Sequence, residues 1–400
     1  MDTVGRWTGR ETRALRVALR LSVRAFAERL GVAARTVSKW EKGGERTIPW
    51  PDTQAILDTC LSQASGEVRA RLSALLMRPI AAEGFNTDER HHVVAVLKDA
   101  PRFFDGPLAE YCRRQLDICI ADDGELGPAA TLPAVLELLR TIETHGRDVR
   151  PSVRRELLSV GASGAEFAGW LLRDMREPGH ATFWYDRAME WAQEAGDLPM
   201  QGYMLLKKSQ MAYDARDALR VLTLAQAAME GPWQLPANVR AEVTQQHALG
   251  MAMIGEPLPA VERRLDHAHE LLAQVKPDDQ PDRLGAYFTA QTLLLRNASS
   301  FTEAGRPGRA AALFGEVLST AVLSRRDAGY FRARRAVALA LSGEPDEAAA
   351  VGLGSVEIAL ATDSRRTLRV LNEVMRTLAP WRSRPAVREF GDVLARHPAR

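Results

Sequence analysis

Apolar residues recur with a helical period along the first tenth of the chain. Leu15 and Leu19 mark the inner side of a helix predicted over 10–21. Val23, Phe26, Ala27 and Leu30 form an i, i+3, i+4, i+7 stripe on a second helix, with Ser22 placed to cap its start and Gly31 to end it. A third helix follows within three residues and runs to Lys42, with Ala33, Val37 and Trp40 directed inward. Pro51 opens a fourth that buries Ile56, Leu57 and Leu61. A fifth starts at Ser65 or Gly66 and reaches Met77, its apolar residues being Val68, Leu72, Leu75 and Leu76. The pattern then breaks, which predicts a head over 1–78, a linker over 79–86 and a second domain over 87–400.

Beyond Gly84 no segment alternates with the period of a strand, so the fold class is all-α. A short phrase recurs between amphipathic stretches: a turn, then alanine five residues on. It begins at Arg176, Tyr213, Gly255, Gly305 and Gly343 and ends at Ala181, Ala218, Ala260, Ala310 and Ala348. Four of the five have proline in third place: Pro178, Pro257, Pro307 and Pro345. Proline in the first turn of a helix needs no donor, and a small residue there lets two helices approach. The second small residue expected seven positions later is present as Ala188 and Ala225, but His267, Val317 and Ser355 stand elsewhere. Helix pairs of this kind cannot bury their faces alone, so they stack into a solenoid. Helices from Asp88 to Gly169 are expected to continue it, and those from Ser364 to Leu394 to cap it or to meet a second copy.

Charge divides the chain the same way. The net charge of +2 combines +7 between Arg6 and Arg46 with −5 elsewhere. A basic head on a mildly acidic body points to nucleic acid as the partner of the head alone. Arginine supplies nearly all the basic residues, so arginine in place of lysine carries no functional meaning here. The third helix has a small or basic outer face of Ala34, Arg35, Thr36, Ser38, Lys39 and Lys42. Arg35 and Lys39 are long enough to reach the O6 and N7 acceptors of guanine in a major groove. Arg13 and Arg24, with Arg16 and Arg20 along the same exposed side, and Arg46 on the following loop beside Pro49 and Trp50, are candidates for phosphate contact.

The segment Leu21 to Gly43 resembles the helix-turn-helix of phage-repressor/Cro-like, XRE-type transcriptional regulators. The shared features are Phe26-Ala27-x-x-Leu30-Gly31-Val32 and Thr36-Val37-Ser38-x-Trp40-Glu41-x-Gly43. Val23 and Ala33 depart from the glutamine and serine that many members carry. The body resembles tetratricopeptide (TPR) arrays, and the combination is similar to peptide-sensing and actinobacterial regulators. The resemblance implies a cytoplasmic homodimer on double-stranded DNA, whose array binds a peptide or small effector and changes the spacing of its heads. An adaptor whose array holds a protein partner, with the head as a tether, is the alternative.

In such arrays the first helix of each pair lines the concave side. Counting back from the turns gives Glu166, Trp170 and Arg173, then Tyr203, Lys207 and Gln210, then Gln245, Arg296, Tyr330 and Arg334 as candidate ligand contacts. Aromatic, amide and cationic groups suit a peptide.

The candidate chemistry is otherwise sparse. There is no phosphate-loop motif. Gly352-Leu-Gly354 is a fragment of a dinucleotide fingerprint inside a helix, where close packing explains it. Gly161-Ala-Ser163-Gly164 has no preceding strand to make it a nucleophile elbow. His267 and His269 point different ways on one helix, and His91-His92 reads as a surface pair. Neither enzymatic activity, nor a cofactor, nor a metal is expected. Cys60, Cys112 and Cys119 form no disulfide framework, which suits a reducing compartment. No apolar run reaches membrane-spanning length, and no signal peptide is expected at the start.

Overall fold

A computed structural model describes residues 7–44, 47–65, 68, 72, 106–147, 149–275 and 284–396. Among these, eighteen α-helices and no strands occur. The chain divides into two compact units, Met1–Thr87 and Asp88–Arg400. The linker expected over 79–86, His91-His92 and Arg46 lie outside the described residues.

In the first unit, α1 (Gly9–Ala18), α2 (Val23–Leu30), α3 (Ala34–Gly43) and α4 (Pro51–Ser62) enclose Leu15, Phe26, Val37 and Leu57, none of which reaches solvent. Thr8 caps α1 by accepting from the Arg10 amide at 3.2 Å, while the Thr8 amide donates to Glu11 at 2.9 Å. α1 stops earlier than the pattern predicts, because Arg20 takes a left-handed conformation (φ 56°). Ser22 accepts from the Ala25 amide at 3.2 Å, and Gly31 ends α2 at φ 68°, a conformation that glycine adopts without strain. Gly9 packs against the Trp40 carbonyl so closely that any Cβ would collide with it, which brings α1 directly onto α3. Two inward assignments need correction. Ala33 is the N-cap residue of α3 and is exposed, and Ile56 is 40% exposed because α4 buries the Leu57, Cys60 and Leu61 side. Of the fifth helix, only Val68 and Leu72 are described, and both join this core.

The second unit is a repeat array. α5 (Gly106–Leu126) and α6 (Pro128–His145) precede α7 (Pro151–Asp174), which pairs with α8 (Pro178–Ala195). Next come α9 (Leu198–Asp214) with α10 (Ala218–Glu230), and α11 (Ala237–Met253) with α12 (Leu258–Ala273). α13 (Ala290–Glu303) pairs with α14 (Pro307–Thr320), and α15 (Arg325–Leu341) with α16 (Pro345–Ala361). α17 (Arg365–Thr377) and α18 (Pro385–Ala395) end the array. The first helix of each pair also packs on the first helix of the next.

A left-handed residue marks each recurring turn: Arg176, Arg216, Gly255, Gly305 and Gly343. Burial departs from the phrase in two copies, and in the first of these the left-handed residue accounts for it. In the second copy the left-handed residue is Arg216, so the buried position five residues later is Val221, with Ala228 seven beyond it. In the third copy Val261 and Ala268 are buried, whereas Ala260 is half-buried and His267 exposed. With that register each second helix carries two buried positions seven apart, as in Ala181 and Ala188 or Ala348 and Ser355.

Small residues also govern α7. A Cβ on Gly161, Gly164 or Gly169 would strike Trp191, Leu139 or Tyr185, so these positions seat α7 between α6 and α8. Gly352 lies against the Phe390 ring, so packing accounts for the first glycine of the Gly352-Leu-Gly354 fragment, whereas Gly354 has open space around it.

The array returns on itself. α15 packs on α5 and α17 packs on α7. Ser364 and Arg366 both donate to Asp174 Oδ1, at 3.0 and 3.2 Å. α17 is therefore engaged within the chain, with Thr367, Leu371 and Val374 buried.

Candidate functional site

α3 presents the face that the sequence predicts. Ala34, Arg35, Ser38, Lys39 and Lys42 are exposed, and Thr36 is half-buried. Arg13 and Arg24 are exposed as well. Arg16 is not available to DNA. Its Nε and Nη2 donate to the two carboxylate oxygens of Glu41 at 2.6 and 3.0 Å, and its Nη1 donates to the Leu21 carbonyl at 2.9 Å. The hydrogen bond to Glu41, set against a smaller cost of burial, holds the guanidinium above its ordinary pKa. This fork locks α3 to α1, and the pairing of Arg16 with Glu41 was not visible from the sequence. On the loop after α3, Pro49 is buried while Trp50 is 81% exposed.

The array surrounds a cavity of about 860 Å³. Its helical wall comes only from first helices of pairs and from α5 and α17, which is the face that the repeat pattern assigns to ligand. Glu166, Trp170, Arg173, Tyr203, Lys207, Gln210, Gln245, Arg296 and Tyr330 all stand on it. Arg334 does not. It is buried behind the wall against Tyr213, Glu303 and Glu373. Burial, only partly countered by Glu373, lowers its pKa.

The wall is ionic but paired. Arg173 meets Asp214 and donates to the Gln210 carbonyl at 3.0 Å. Lys207 lies 3.1 Å from Glu166 and over the rings of Tyr203 and Tyr287, 4.6 and 4.8 Å from their centroids. Burial disfavours the Lys207 ammonium, yet Glu166 and the neighbouring Tyr287 and Glu242 outweigh that cost, so its pKa lies above the usual lysine range. Arg296 sits 3.2 Å from Glu242, which also accepts from Gln210 at 2.8 Å and from the Tyr287 hydroxyl.

Sequence reasoning missed a second ionic set because its members are distant in the chain. Arg326 pairs with Asp123, and Arg366 with Asp174. The guanidinium carbons of Arg173, Arg326 and Arg366 lie 5.6, 5.1 and 4.6 Å from the Trp170 ring centroid. Burial pushes the Asp123 carboxyl up, with Arg326 opposing. The one readable signal was Trp170 itself, an aromatic residue at an inner helix position.

His267 pairs with Glu270 and His269 with Asn297, consistent with their pointing different ways. Among the described residues no group of three His, Cys, Asp or Glu side chains is placed to hold a metal ion. No helix among them is long and apolar enough to cross a membrane.

A comparison with curated proteins found no match. Residues 7–72 match the family model described as a helix-turn-helix domain, so the first unit is a domain of the kind that DNA-binding transcription regulators carry.

Proposed function

We propose that the chain is a sequence-specific transcriptional regulator that reads an operator with α3 and takes an effector in the cavity of its array. The reading includes a homodimer, because two heads on one duplex give the half-site spacing that helix-turn-helix proteins use. It includes a cytoplasmic location, where the operator and three free cysteines are at home. The observation that carries the regulatory part is the exposed, basic outer face of α3, held in place by the Arg16–Glu41 fork. The effector part rests on the large cavity, whose volume falls in the range of small-molecule sites and whose wall mixes apolar and polar side chains.

Genome-wide DNA footprinting of the wild type beside the Arg35→Ala/Lys39→Ala double variant tests this reading. Discrete sites that vanish in the variant are expected. A wild type with no discrete sites, combined with one stoichiometric protein partner in a pull-down, would overturn it in favour of an adaptor.

A further inference from the structure

The outer face of α3 has a one-sided chemistry. At about 100° per residue, Ala34, Arg35, Ser38, Lys39 and Lys42 fall within an arc of roughly 140°. All five are exposed, and no other described residue engages the polar side chains among them. Arg35, Lys39 and Lys42 only donate hydrogen bonds. Ser38 can donate or accept, and Ala34 offers a methyl group alone.

Strong acceptors are missing from this arc, which holds no Asn, Gln, Asp or Glu. The carboxylate of α3, Glu41, borders the arc beside Ala34. Both of its oxygens are engaged by Arg16, at 2.6 and 3.0 Å, and its side chain is 13% exposed. The fork that seats α3 on α1 therefore also withholds from the reading face the one group of α3 that could accept strongly from a base.

Each base presents a different edge in the major groove. Guanine shows two acceptors, O6 and N7, and thymine shows the O4 acceptor with a methyl group. Adenine places an N6 donor beside its N7 acceptor, and cytosine presents an N4 donor. Taking adenine bidentately, or taking cytosine, needs a side chain that accepts. Arg35 and Lys39 cannot do so, whereas the paired acceptors of guanine suit both. Recognition helices meet base edges with their N-terminal part, which puts Arg35 and Lys39 on bases and leaves Lys42 toward the backbone. Arg35 and Lys39 are four residues apart, a rise of about 6 Å, which is less than two base-pair steps of about 3.4 Å.

We infer that α3 reads guanine: two guanines within a span of three base pairs in each half-site, met by Arg35 and Lys39, with a neighbouring thymine methyl against Ala34. This rests on the reading of the chain as a sequence-specific regulator, and it names the bases that the regulator takes.

The test selects binding sites for the full chain from a random duplex library, then measures affinity for the enriched site by gel shift at fixed salt. The expected half-site has two guanines inside three base pairs and a thymine beside them. Replacing either guanine by 7-deazaguanine, which lacks the N7 acceptor, should weaken binding about tenfold. Replacing the thymine by uracil, which lacks the methyl group, should weaken it about threefold. Arg35→Gln supplies an acceptor beside a donor and should change the preferred base at one position from guanine to adenine. Arg35→Ala should lose the preference there without gaining another. Arg35 is exposed, so neither variant disturbs the core. An enriched half-site without the two guanines, or guanines whose 7-deaza replacement changes nothing, overturns the inference and leaves the regulator reading in place. An Arg35→Gln variant that keeps guanine at every position overturns the role of Arg35, and equal binding to the uracil site overturns that of Ala34. A selection that enriches no site at all overturns the regulator reading itself.

Discussion

Arg366 Nε donates to Asp174 Oδ1 at 3.2 Å across 192 positions of sequence. The bond joins the start of α17 to the end of α7, and Ser364 donates to the same oxygen at 3.0 Å. Asp174 is fully buried, so neither partner can exchange the other for water. The ends of the array are thereby held together at the cavity, close to Trp170, over which the Arg366 guanidinium lies.

Asp174→Ala should therefore destabilise the array much more than loss of a surface ion pair would. Removing one member of a buried pair leaves the other charge uncompensated, which costs about 3 kcal/mol or more. Asp174→Ala combined with Arg366→Met should recover part of that loss, because no unpaired charge remains. Urea unfolding of the full chain measures both. A single-variant loss below about 1 kcal/mol, the level of an exposed pair, would show that the contact does not hold the ring.

The same closure appears in the backbone at Gly127, between α5 and α6. Gly127 has φ 82°, and a Cβ there would fall far inside van der Waals contact of the Thr362 carbonyl. Gly343 has a similar φ of 85° but open space around it. Gly343→Ala should cost about 1 kcal/mol, the price of a left-handed alanine alone. Gly127→Ala adds a clash with rigid backbone and should cost roughly 2–4 kcal/mol. Equal effects in denaturant titrations would mean that the Gly127–Thr362 approach is loose.

The contrast between local and distant contacts explains what the sequence could reveal. Ser22, Phe26, Leu30, Gly31 and Trp40 act within one or two helical turns, so their spacing alone specified the head. The inner face of the array was readable for a similar reason: Tyr203, Lys207 and Gln210 follow the period of one helix. The Asp174–Arg366 and Asp123–Arg326 pairs depend on how far the stacked helices turn, and no local pattern encodes that. The turn phrase slipped at Tyr213 because an arginine, Arg216, takes the left-handed position that glycine holds in three other repeats. Arg16 looked like one more exposed arginine until α3 brought Glu41 beside it.

His247 on α11 gives a dependence on pH. Burial, with Arg264 adding to it, lowers its pKa below 6.5. The unfolded chain then binds a proton at a higher pH than the folded chain does. As pH falls through 6.5 toward the folded value, protons favour the unfolded state and stability declines. At neutral pH this contribution is absent. His247→Gln should lose less stability than the wild type between pH 7.5 and 5.5, measured by urea midpoints on the same buffer series. Parallel declines in the two proteins would assign the pH dependence to other groups.

The basic residues of the head separate into two kinds with different signatures on DNA. Arg35 and Lys39 project from the exposed face of α3, where base edges would lie in a major groove. Arg35→Ala or Lys39→Ala should weaken operator binding by about 1–3 kcal/mol and relax the preference at one base position. Arg13 is exposed on α1, and a phosphate contact there carries no sequence information. Arg13→Ala should lower affinity for operator and random DNA alike and reduce the salt slope by about 1. Gel shifts on both DNAs at several salt concentrations distinguish the two. Equal losses on operator and random DNA for Arg35→Ala would place Arg35 on the phosphates. An unchanged salt slope for Arg13→Ala would remove Arg13 from the interface.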